Sequence, residues 1–237
     1  MSSAYDPAVK VYVDEKLNLL KEFPEQVNFN VVPWAEYYPT MLDVFAGKAD
    51  YDVIMIAGHL WMADFVEKGY LAPIELEEED ILPVILQEMK YKDEYYLSPS
   101  FCDGHMIVYR KSILKEKTGK VLDKVVSPEE YIEVASQLAG SDIVPVAMKA
   151  HASEIFTDAL PFLRMGGKDV YDANNHEAMC NDSSIVKGLE AYCGLRNYAC
   201  QDTDQYGNDE VASAIQNKKV AMAVTWSGQL GVVYNEA

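Results

Sequence analysis

"ADYDVIMIAGHLWMADFVEKGYLAPIELEEED", residues 49–80, carries three signals in a row. Val53–Ala57 is a short apolar run, which reads as a strand of the kind buried on both faces of a parallel sheet. Gly58 ends it. His59 and Trp61 follow at once, and a helix through Ala63 and Val66 is predicted to stop at Gly69. A histidine and a tryptophan therefore stand where a buried strand surfaces and a helix begins. Either they bind something there, or they only turn a corner.

The pattern on both sides repeats this alternation. Asp6-Pro7 is predicted to open a helix carried by Val9, Val13, Leu17 and Leu20 until Pro24. "VNFNVVPW" alternates as a strand, and "AEYYPTMLDVFAG" returns to helical spacing through Tyr38, Met41, Leu42 and Phe45. After the acidic run Glu75–Asp80 comes another helix, "DILPVILQEM". "EYYLSPSFCDGHMIVYRKSIL" then reads as one long extended segment interrupted by Pro99 and Gly104. Ser127-Pro128-Glu129-Glu130 is a capping box opening a helix to Leu138. The strand "IVPVAMK" follows, then helices near 153–165, 183–197 (capped around Asp182) and 209–217. "KVAMAVTW" is the last strand, with a helix start at Ser227-Gly228. Helices and strands in this order predict an α/β layer fold with two lobes: 1–98, a crossover at 99–110, and 111–237.

Bulk properties restrict the function. With 237 residues, 49% hydrophobic and 24% charged, the chain can bury a real core. A formal net charge of -18 argues against nucleic acid or an anionic membrane surface as a partner. No apolar run approaches the ~20 residues of a membrane span. The chain opens without a leader, as a mature exported protein also would, so the compartment stays open.

Chemistry-bearing motifs are scarce. There is no G-x-S-x-G, phosphate loop, H-E-x-x-H or G-x-G-x-x-G. Glu77, Glu78 and Glu79 read as a solvated run rather than an acid–base pair. Tyr37-Tyr38 and Tyr95-Tyr96 resemble the pairs with which some binding proteins hold ferric iron, but such a site also needs a carboxylate or histidine converging on them, which spacing does not specify. No catalytic residue, metal site or cofactor is predicted. Cys102, Cys180, Cys193 and Cys200 lack zinc-finger spacing. Cys193 and Cys200 could close a small disulfide loop if the helix between them ends early; free, mostly buried thiols are the plainer expectation.

"DVIMIAGHLWMADFVEKGYLAPI", "YYLSPSFCDGHMIVYRKSIL", "SPEEYIEVASQLAG" and "AIQNKKVAMAVTWSGQL" resemble, in order, successive blocks of the extracellular solute-binding proteins of ABC importers. The similarity is to the maltose- and oligosaccharide-binding branch and runs over nearly the whole chain. It implies a two-lobed periplasmic-binding-protein-like clamp, of which this chain covers part. Family members begin with a strand before the first helix and continue past the last block, so a truncation at both ends is expected, with apolar surface of the first lobe uncovered. The resemblance also implies a sugar as solute, a membrane permease as partner, a monomer, and a place in the periplasm or lipid-anchored outside the membrane. A sensor feeding a signalling kinase and a carbohydrate-active enzyme are the alternatives.

Ligands of open α/β sheets sit beyond the carboxyl ends of strands. All three tryptophans of the chain stand at predicted strand ends: Trp34 (with Glu36 and Tyr37), Trp61 (with His59) and Trp226 (with Ser227). Indole offers sugars an apolar face and a donor. The plainer reading is that each ring plugs the end of a lobe, and that Glu36 only complements a helix dipole. The resemblance adds Ser100 and Asp103 on the crossover, residues that also serve ordinary turns. Lys149 and His151 follow the strand "IVPVAMK" and are further candidates. Arg164 is a weaker one.

Overall fold

The computed structural model describes residues 2–3, 27–172, 175 and 177–234. The predicted helix of residues 6–24 lies outside them. The chain divides into two compact units, Met1–Asp103 and Gly104–Ala237, a division falling inside the segment 99–110.

In the first unit β1 (Ser2–Ser3) runs parallel to β2 (Val31–Val32). Pro33 then fixes the backbone for α1 (Trp34–Phe45). Tyr37 and Met41, four residues apart, present one buried face of this helix. A second helix, α2 (Gly58–Glu67), places Phe65 against them, and Gly69 stops it at φ 70°, where a side chain would be strained. A short helix α3 (Pro83–Glu88) and the hairpin of β3 (Lys90–Tyr91) and β4 (Glu94–Tyr95) follow.

Here the expected strand in "YDVIMIAG" is corrected. Residues 53–57 form no ladder with any described strand. Their apolar side chains are nonetheless absorbed: Ile54, Met55 and Ile56 pack on the Tyr37–Met41–Phe65 core. An apolar run reports burial, and a ladder needs a neighbour that the run cannot specify.

The second unit is built on a three-stranded sheet ordered β5 (His105–Tyr109), β9 (Val220–Trp226), β6 (Val144–Ala147). Between the first two in sequence lie α4 (Lys111–Thr118) and α5 (Pro128–Gln137). Ser127 Oγ accepts from the Glu130 amide at 3.2 Å, the predicted N-cap. After β6 come α6 (Ile155–Leu163), the hairpin β7 (Tyr171–Asp172) and β8 (Glu177–Ala178), and α7 (Ser183–Gly194), whose N-cap is Asp182. Helix α8 (Asn208–Gln216) leads into β9 (Val220–Trp226), and α9 (Leu230–Val233) follows a single 3-10 turn.

Strand β9 is central, antiparallel to β5 and parallel to β6. Its residues Val220–Ala223 are all buried, because apolar clusters cover both faces of the sheet. Met222 and Val146 belong to the cluster with α5, α6 and α7; Ala223 and Ala147 belong to the one with α8 and α9. The predicted long extended segment from Glu94 is broken: residues 96–104 are irregular, β5 starts only at His105, and Lys111–Leu114 is already helix. The four cysteines are free, and Cys102, Cys180 and Cys193 are exposed rather than buried. Helix α7 and the turn after it carry Cys193 on the outside while Cys200 faces the core, so no loop closes.

Candidate functional site

The first unit gathers its aromatic residues where two helices begin. Trp34 is the first residue of α1 and Trp61 lies in the first turn of α2. Their rings stack at 5.1 Å with planes 22° apart, an arrangement worth about 0.5–1.5 kcal/mol beyond the area it buries. Tyr37 and Tyr38 flank Trp61 at 6.1 and 5.4 Å. Tyr37, expected as a ligand contact, is only 1% exposed. Its hydroxyl donates to the Met55 carbonyl, and burial pushes its pKa up to about 12. It supports the tryptophan pair from beneath. Trp34 and Trp61 are half-buried and keep an outer surface. Glu36 is exposed in the first turn of α1, where a carboxylate complements the dipole. His59 is the second residue of α2, and its side chain lies outside what the structure describes. Ser100, exposed, and Asp103, half-buried, lie on the irregular segment 96–104.

In the second unit the site grows from the sheet. Trp226 ends β9, and the register sets His105, the first residue of β5, directly opposite it. Cross-strand partners are close enough for rings to meet. The two stack at 4.0 Å and 26°. Just past β6, Lys149 brings its ammonium 5.2 Å from the Trp226 ring centroid, within cation–π range. Ser227, next to Trp226, accepts from the Gly104 amide, and its own amide donates to the Gly104 carbonyl at 2.8 Å. That clasp fixes the end of β9 to the start of β5.

Lys149 is fully buried, which demands compensation for its charge. Asp158 Oδ1 lies 3.7 Å from its Nζ, and Asn208 Oδ1 accepts from it at 3.3 Å. Asp158 Oδ2 accepts from the Lys149 amide and the Tyr192 hydroxyl, both at 3.0 Å. Two influences oppose each other at Asp158. Burial raises its pKa above the ordinary 3.8, and Lys149 lowers it. Burial wins, because a pair separated by 3.7 Å recovers less than full desolvation removes. Glu154 is also pushed up by burial; one oxygen accepts from the Asn208 amide at 3.2 Å and the other is buried with no hydrogen-bond partner. Lys149, expected to reach the cleft, is fully buried with its ammonium over the Trp226 ring. His151 is exposed and bonded to Ser153 Oγ through Nδ1. Arg164 pairs with Asp169 at 2.8 Å on the surface.

The structure thus groups Trp34, Tyr37 and Trp61 in one unit, and Lys149, Trp226 and Ser227 in the other. His105 and Asp158 escaped the sequence reading. His105 follows Gly104 in a quoted block, but only strand pairing reveals that it faces Trp226. Asp158 sits mid-helix, where nothing local marks it. Among the described residues no cluster of three or more His, Cys, Asp or Glu could hold a metal ion, and no helix is long and apolar enough to cross a membrane.

A two-unit α/β chain with aromatic rings at its strand and helix ends has the make-up of a solute-binding protein. Residues 7–237 match the bacterial extracellular solute-binding protein family, to which the chain belongs. Solved structures agree in fold. The GacH receptor of Streptomyces glaucescens GLA.O, known with acarbose, superposes with a TM-score of 0.78 at 23% identity over 98% of this chain. An ABC transporter solute-binding protein of Thermotoga lettingae TMO, bound with α-D-tagatose, gives 0.83 at 18% over 98%. Maltose-bound MalE3 of T. maritima gives 0.79 at 20% over 95%. The chain spans 60%, 62% and 60% of the lengths of these three.

Proposed function

We propose that this chain belongs to the substrate-binding component of an ABC importer, and that it captures a small carbohydrate by binding without turnover. The observation carrying this reading is that each unit sets an indole where the backbone leaves an extended segment for a helical turn: Trp34 and Trp61 in one, Trp226 in the other. Such rings suit the C–H faces and hydroxyls of sugars. The related structures with acarbose, tagatose and maltose support the same ligand class. Work is done outside the cell membrane, in a periplasm or from a lipid anchor, with a membrane permease as the receiving partner. A ligand drives any hinge closure only by binding the closed state better than the open one.

Calorimetric titration of the complete protein with maltose, tagatose, ribitol and longer oligosaccharides is the test. Heat with at least one sugar is expected, and a micromolar Kd would correspond to about -8 kcal/mol. Heat only from amino acids, metals or phosphate esters reassigns the ligand class. No heat from any solute removes the receptor reading.

A further inference from the structure

The surroundings of Trp226 contradict the simplest picture of a stacking tryptophan. Its strand, β9, is central in the sheet, with β5 on one side and β6 on the other. His105 comes from β5 and lies ring on ring with the indole at 4.0 Å. Lys149 comes from the chain just beyond β6 and sets its ammonium over the same ring at 5.2 Å. The two groups that reach this ring thus come from opposite neighbours of its strand, one stacked on it and the other a cation within range of its π-system. Yet Trp226 is only half-buried, so part of it remains at the surface.

We propose that Trp226 is a rim-presenting residue: His105 and Lys149 occupy its two faces, and it meets a ligand with its edge and its indole N–H. A face already covered has no room for a sugar ring, whereas the indole edge is electropositive and its N–H is a donor, both suited to hydroxyl oxygens. Lys149 is then a positioning residue. Its burial is explained by the ring above it and by Asp158 and Asn208 around it. Asp158 is held in turn by the Lys149 amide and Tyr192, so the indole sits on a fixed base. A donor held still loses less entropy on binding than one that must be ordered first. The two covered faces are argued from the His105 stack and the Lys149 ammonium; the ligand contact rests on the carbohydrate reading.

The decisive measurement needs no ligand. The chain has three tryptophans, so the double variant Trp34→Phe/Trp61→Phe leaves Trp226 as the sole indole emitter, with circular dichroism confirming the fold. In that background His105→Ala uncovers one face. Lys149→Ala/Asp158→Asn uncovers the other without leaving a bare buried carboxylate. Each is expected to raise the acrylamide quenching constant of Trp226 by about twofold, as one of two shielded faces opens. No rise with either variant overturns the proposal. A rise with only one also overturns it, because the other face was then open from the start. Lys149→Arg, which restores a cation over the ring, is expected to return quenching to the starting value, which a merely space-filling role would not require.

The ligand arm uses maltose and the complete protein. Trp226→Phe keeps an aromatic face but has no N–H, so its affinity should fall as far as that of Trp226→Ala. Affinity for Trp226→Phe close to that of the unaltered protein overturns the rim assignment. If maltose and the other sugars give no heat while the quenching changes appear, the carbohydrate reading fails and the covered indole stands.

Discussion

Lys149 shows how a single residue can carry a charge into a core and be kept there. Its ammonium is fully buried and answered by Asp158, Asn208 and the Trp226 ring. Removing one partner of such a pair leaves the other buried and uncompensated, so Lys149→Ala should cost about 3–5 kcal/mol at neutral pH in urea unfolding. The pH dependence follows from Asp158. Its pKa is raised in the folded state, so the folded chain holds that proton more tightly than the unfolded one. Ionised Asp158 therefore opposes folding above its folded pKa, and the penalty fades as pH falls through that value toward the ordinary 3.8. The deficit of Lys149→Ala should accordingly shrink in mildly acidic buffer. A deficit that grows on acidification would show that the carboxylate is not the group left exposed to the loss. Tyr37 obeys the same logic at the alkaline end. With its folded pKa near 12, its ionisation opposes folding as pH climbs above the unfolded value of 10, and Tyr37→Phe should remove that component of alkaline destabilisation. These roles were invisible locally: "MKAHASEIF" displays a lysine after a strand, but no spacing rule connects it to Asp158 and Trp226.

Among the elements, helices were the most legible. Ser127 ahead of Pro128 and Glu130 specified the start of α5, and Ser127→Ala should lower stability by about 1 kcal/mol in a denaturant melt. Asp182 likewise marked the start of α7. Helix contacts were not legible. Gly188 in α7 lies so close to α6 that a Cβ there would meet the Phe162 carbonyl oxygen at 2.2 Å and Leu163 Cα at 2.8 Å. Backbone cannot swing aside as a side chain can. Gly188→Ala should therefore destabilise by about 1–3 kcal/mol or more, against the small gain in helix propensity; an unchanged melting temperature would refute that close approach. The strand expected at "YDVIMIAG" failed for the complementary reason: its apolar content reported burial correctly, while pairing depends on a neighbour elsewhere in the chain.

At the scale of the molecule, the two apolar clusters around the three-stranded sheet draw, among the described residues, only on those from 107 onward. The aromatic cluster of Tyr37, Met41 and Phe65 belongs to the first unit. A fragment of residues 104–237 should consequently fold alone and melt cooperatively, as followed by calorimetry or circular dichroism; a featureless melt would show that its core needs the first unit. The first unit leaves Val53, Leu82 and Val84 more than half exposed, at 71%, 61% and 62%. The whole chain should then bind more of an apolar-surface dye than the 104–237 fragment does.

Sequence alone determined the α/β class, the family, most helix starts and the placing of tryptophans at chain turning points, because caps, periodicity and glycine stops act within a few residues of each other. Tertiary structure decided which rings touch and what covers them. The Trp34–Trp61 stack joins two helices, and the grouping of His105, Trp226 and Lys149 joins three separate strand ends. Such contacts arise from helix packing in the first case and from pairing register and strand order in the second, which bring together residues 27 to 121 positions apart and leave no mark on the residues between them.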